Sequence, residues 1–286
     1  MAFTWGIIAF GGAAFLLQLV LGPRRRRREY LVLAFTDRLE LPVTGPVIDV
    51  IDRRIRNRSI GQALGGLAAV LGFAVMVLVA PGLVPVGIAG FATTGILVAG
   101  MAAGGAVLAA RQFPAPAGPD ATRVARLDAP TLGDYVHPAW IWASSIGAGA
   151  SVALSAGLLS GAIPGDAGAA GMPFAGVAAL AAFSVAGVAC AAIITRRVLA
   201  IPQPASDEVE LEWDDVLRAH ALRDIWIASI GLGAATVVSA FSWMFNAASP
   251  GLYVGILIGM LPLFLLELPP SSRSSRRQWR HSDVVS

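Results

Sequence analysis

The chain has 286 residues, 56% of them hydrophobic and only 14% charged, with a mean hydropathy of +0.70. A soluble domain carries roughly 25% charged residues, so a water-soluble fold is excluded and the long apolar stretches make this an integral membrane protein. Its formal charge is +3, with every basic residue an arginine and no lysine for a Schiff base or amine nucleophile; the single cysteine, Cys190, excludes an intramolecular disulfide and a cysteine-rich metal site.

Seven apolar stretches are long enough to span a membrane, taking about 20 residues for a 30 Å core. They lie near 3–22, 62–80, 87–110, 140–160, 174–195, 225–245 and 252–268. The expected fold is therefore all-α, a polytopic bundle of seven transmembrane helices. Residues 1–268 form one transmembrane domain, and the polar tail 269–286 is expected to be disordered.

The first span (1–22) is followed directly by Arg24, Arg25, Arg26, Arg27 and Arg28. A secretory signal peptide has its positive charge before the apolar run, so the order here marks a topology determinant that holds the end of span one in the cytoplasm. The same placement argues against a nucleic-acid arm, and the run is suited to anionic lipid headgroups. All other arginines fall in the rest of 23–61, in 111–139, in 196–224 and in the tail from 269, whereas the links 81–86 and 246–251 carry no charge and 161–173 carries only Asp166. By the positive-inside rule the N-terminus is outside and the C-terminus inside, in a bacterial cytoplasmic membrane.

The connectors read as amphipathic. Residues 44–58 put Val47, Ile48, Ile51 and Ile55 on one stripe with arginines off it, the pattern of a basic helix lying in the interface. Residues 206–224 carry six acids between Asp207 and Asp215, then Arg218 and Arg223, beside a stripe of Val209, Trp213, Val216 and Leu217. Acid first and base last suits the helix dipole. The acids are expected to face the cytosol or to pair with the 53–58 arginines. The stretches 113–119 and 201–206 read as proline-rich spacers.

Ser-Ile-Gly recurs at 59–61, 145–147 and 229–231, and residues 142–156 match 226–240 at eight of fifteen positions. The chain thus reads as one leading helix plus three repeated helical hairpins, 41–117, 127–205 and 211–270, related by an axis along the membrane normal. Small pairs four apart mark helix-packing faces: Gly61 with Gly65, Ser145 with Gly149, Ser229 with Gly233, and Gly147 and Gly231 beside them. Spans two, four and six are expected at the centre, with leucine at Gly147 or Gly231 more damaging than at Gly100.

No catalytic constellation emerges. His137, His220 and His281 sit in connectors or the tail without metal-ligand spacing, and Ser144, Ser145, Ser151 and Ser155 lack a partner base. The glycines of 61–66 open an apolar helix and follow no strand, so no nucleotide motif is read there and no cofactor is expected. The reading that follows is a non-enzymatic membrane component that presents cytoplasmic helices to a protein partner. The alternatives are a permease for a neutral or apolar solute, and an enzyme acting on a lipid headgroup where Arg53, Arg111 or Arg196 would meet carboxylates.

Overall fold

A computed structural model describes residues 2–21, 32, 45–79, 89–110, 131–162, 174–201 and 208–244. Among them the chain forms seven helices and no strand: α1 (Ala2–Leu21), α2 (Gly45–Val79), α3 (Ala89–Ala110), α4 (Leu132–Tyr135), α5 (Pro138–Leu159), α6 (Phe174–Ala200) and α7 (Glu208–Met244). Arginines 24–28, stretch 252–268, residues 113–119 and 202–206, His281 and the tail lie outside the described residues. Four apolar segments are long enough to cross a membrane: Ile48–Val79, Pro138–Leu159, Ala178–Ala200 and Leu211–Phe241. Shorter apolar runs occupy Ile8–Leu21 and Gly95–Leu108.

The long helices alternate in direction. Phe15 of α1 lies on Gly66 while Gly11 meets Val70, so α1 and α2 are antiparallel. Gly61 faces Gly104 and Gly65 faces Gly100, so α2 and α3 are antiparallel too. Gly95 faces Gly231 while Ala102 packs with Ile227, which sets α3 against α7 in the same sense. In α6, Gly187 lies on Ser229, and Val198 is reached by Arg218, again antiparallel to α7. Helix α5 runs parallel to α7, with Ser144 against Ser229 and Gly147 against Gly233.

Two expectations are corrected. The basic stretch 44–58 does not form its own interfacial helix; it is the first part of α2, continuous with the apolar run. Likewise 208–224 continues without a break into the next span as α7. At 1.5 Å per residue these helices are about 52 and 55 Å long, against a hydrocarbon core of about 30 Å. Roughly 20 Å of each must stand beyond such a core, and that is where the charges sit. Their apolar stripes cover each other: Ile51 is fully buried with Trp213 and Val32, and Ile55 and Val209 close the cluster. Burying an indole this way removes about 150–250 Å² from solvent, which outweighs what a half-immersed stripe gains at a headgroup surface.

The second correction concerns the centre. Spans two, four and six do not converge there. Of the four long apolar segments described, that of α7 alone is enclosed, 89% buried against 22–28% in α2, α5 and α6. It packs on α3, α5 and α6, while α2 packs chiefly on α3 and α1. Positions that align between 142–156 and 226–240 in sequence differ in surroundings: Ser229 and Gly233 are buried, whereas Ser145 and Gly149 are exposed, Gly149 with open space where a Cβ would sit.

Candidate functional site

Every ionised residue among those described lies at one end of the bundle, on the first parts of α2 and α7, the last turn of α6 and the short α4. The alternation of helix direction brings these segments together, because the starts of α2, α5 and α7 share an end with the C-terminus of α6. The result is an ion-paired layer. Asp214 accepts from Arg54 Nη2 at 3.0 Å and from Arg218 Nε at 2.6 Å. Asp224 accepts a bidentate pair from Arg58, Nε at 2.6 Å and Nη2 at 2.9 Å. Asp224 and Arg218 are almost completely buried, and Arg54 nearly so.

Arg218 does a second job. Its Nη1 donates to the carbonyls of Val198 (2.9 Å) and Ile201 (2.8 Å) at the end of α6. The last carbonyls of a helix have no partner inside it, and a guanidinium there both caps them and complements the dipole. Arg218 therefore ties α6 to α7 while Asp214 ties α7 to α2. Tyr135 of α4 donates to Asp215 at 2.7 Å, and Arg223 lies 5.6 Å from the ring centre of Trp140 in α5. The entrance to α5 is fixed by Pro138 in the first turn and by His137 Nδ1, which accepts from Ala139 N at 3.2 Å.

Below this layer the polar groups on α5, α6 and α7 are hydroxyls. Ser144 and Ser229 are hydrogen-bonded to each other across the α5–α7 contact. Ser151 and Ser155 donate to the carbonyls four residues earlier, Gly147 and Ser151, both at 2.7 Å, and Ser151 also reaches Gly233 O at 3.4 Å. Ser184, wholly buried on α6, faces Gly233. Ser144 with Ser229, and Ser151 with Gly233, join α5 to α7, whereas the bond from Ser155 to Ser151 lies within α5 and the Ser184 hydroxyl is buried without a hydrogen-bond partner among the described residues.

The acids of α7 do meet the arginines of α2, as the opposite charges of the two connectors imply. Gly61 and Gly65 sit at the closest helix crossing, and Gly231 approaches the Gly95 carbonyl. Ser145 and Gly149 are exposed and brought into no contact face, and Cys190 is exposed on α6. Sequence reasoning missed Arg58 with Asp224, and Arg218 as a cap. The available signal was helical phase: Arg54 and Arg58 stand four apart beside Ile51 and Ile55, on the side that packs. Among the described residues no group of three His, Cys, Asp or Glu side chains is arranged to hold a metal. Chemically the layer neutralises and rigidifies: guanidinium groups engage Asp214 and Asp224, and the Tyr135 phenol engages Asp215. Compared with known proteins, the chain matches no family model, no curated protein and no solved structure.

Proposed function

We propose that this chain is a non-enzymatic, multi-pass component of a bacterial cytoplasmic membrane that offers the charged end of its bundle to a protein partner. The carrying observation is that α2 and α7 pass unbroken from apolar run into ion-paired layer. A surface built on continuous, cross-tied helices is held rigidly relative to the membrane, which is what a docking platform requires. On the outer side of that end, Asp49, Arg53 and Arg56 are exposed. They supply polar recognition while the buried pairs supply rigidity.

The proposal includes seven spans, with 252–268 as the last, an outside N-terminus and a cytoplasmic C-terminus. Arginines 24–28 fix the first span and engage anionic headgroups. The three hairpins are read as tandem copies whose packing diverged, supported by the shared Ser-Ile-Gly and the 84-residue offset from 145 to 229.

Affinity purification of the full chain in mild detergent tests the reading. Wild type should retain a protein that the double variant R53E/R56E releases, with both forms equally folded by thermal denaturation. If wild type and variant retain the same proteins, the platform reading fails.

A further inference from the structure

An apolar groove of about 900 Å³ runs along the side of the bundle between the paired helices α2 and α3 and helix α6, with α7 as its floor. Its walls include Ala103 and Val107 of α3 and Cys190 of α6, all exposed, and its floor includes Ala228 and Leu232. The volume lies in the range of roughly 300–1,000 Å³ seen for small-molecule sites. On α3 the groove reaches from Ile96 to Leu108 and on α6 from Gly187 to Ile201. At 1.5 Å per residue that is about 20 Å along the helix axes, a little more than one leaflet of a 30 Å hydrocarbon core.

Its lining is polarised. Among the described residues that form it, Arg197 alone is charged, and Arg197 is exposed at the end where the bundle's charges gather. Seven residues earlier on the same helix, Cys190 stands at the level of the aliphatic walls, about 10 Å deeper. Ser229, the one hydroxyl on the floor, is already hydrogen-bonded to Ser144. The groove therefore offers a hydrocarbon ligand no polar group to desolvate along its length, and offers a phosphate one guanidinium at its end. Guanidinium–phosphate hydrogen bonds are charge-assisted and short.

The geometry points to a binding site for one anionic phospholipid of the cytoplasmic leaflet, its acyl chains lying between α3 and α6 and its phosphate at Arg197. A water-soluble solute is disfavoured by the apolar lining. A zwitterionic lipid fits the walls equally well but places a compensating cation beside the guanidinium. The site is independent of the protein partner proposed above, and either can fail without the other.

The test uses the full chain, stripped of lipid by detergent exchange and then offered phosphatidylglycerol or phosphatidylcholine. Native mass spectrometry should find phosphatidylglycerol retained about fivefold more, the preference one interfacial arginine supplies. Arg197→Gln should erase that preference without lowering thermal stability. Ala103→Phe, which fills the groove, should lower retention of both lipids. Phosphatidylglycerol with a photoreactive acyl chain should mark Leu232 on the floor as well as Ala103 and Cys190. Equal retention of the two lipids by wild type overturns the proposal. So does labelling confined to outward residues such as Leu71, Val75 and Phe183 with none at Leu232, because the groove is then closed by protein.

Discussion

Asp224 shows how much rests on single side chains. It is 1% exposed and is held by both nitrogens that Arg58 presents to it. A carboxylate removed from water recovers its lost hydration only through such contacts. Arg58→Ala should therefore destabilise the protein, though by less than the roughly 3–5 kcal/mol of a fully buried pair, because the Arg58 side chain is 37% exposed and water screens part of the interaction. The double variant Arg58→Met with Asp224→Leu should regain most of that loss, because no charge is left stranded. Thermal denaturation in detergent reads both; equal losses in single and double variants would mean that packing, not charge, holds α2 to α7. At this scale the sequence was legible in sign and illegible in address. Acids on one connector and arginines on the other predict pairing of Asp214 with the 53–58 cluster. They do not select Arg54, because choosing among neighbouring arginines needs the rotation of α2 about its axis. The cap made by Arg218 was hidden for a different reason: besides Asp214, its partners are the backbone carbonyls of Val198 and Ile201, and a carbonyl leaves no trace in sequence.

Between elements, the decisive contacts are glycine crossings. A Cβ on Gly61 would fall 2.8 Å from the Gly104 carbonyl carbon, and one on Gly100 would fall 2.6 Å from the Gly65 oxygen. Transmembrane helices gain little from hydrophobic association, so close backbone approach is what holds them. Gly65→Leu and Gly100→Leu should then sharply reduce the yield of folded, monodisperse protein, while Gly149→Leu, facing open space, should leave it near wild type. Gly147→Leu should be milder than Gly231→Leu, since a Cβ at Gly147 meets Gly233 at an ordinary 3.7 Å but one at Gly231 comes within 2.9 Å of the Gly95 oxygen. Size-exclusion profiles of the five proteins would rank them, and a monodisperse Gly65→Leu variant would contradict the crossing. This order departs from the expectation that Gly100 is the tolerant position. The reason is compositional: with 32 glycines in the chain, small pairs four apart occur on used and unused faces alike. The separate interfacial helix expected over 44–58 failed for a related reason. Charge interrupts hydropathy there, but backbone hydrogen bonds run through the change in polarity undisturbed.

For the whole molecule, the burial of α7 and the gathering of charge at one end bear on the same question, which way the bundle stands. Alternating helices put the arginines of α2 and α6, and the mixed charges of α7, on a single side, while the far ends of the described helices carry none. Inverting such a bundle would carry several guanidinium groups across the hydrocarbon, each costing roughly 2.5–3.5 kcal/mol at its centre. The orientation proposed above follows the positive-inside rule, by which an arginine excess favours the cytoplasmic side for the charged end. Reporter fusions after residues 84, 166 and 248 should accordingly read extracytoplasmic, and those after 120, 205 and 275 cytoplasmic. The fusion after 166 is the most discriminating, since it follows α5 and precedes α6, the two helices whose opposite directions bring Arg197 to the same end as Arg54. The fusion after 275 tests the seventh span, because a chain that fails to cross after α7 leaves its tail outside. A cytoplasmic signal at 166 would break the alternation on which the ion-paired layer depends, and an external signal at 275 would reduce the number of spans to six.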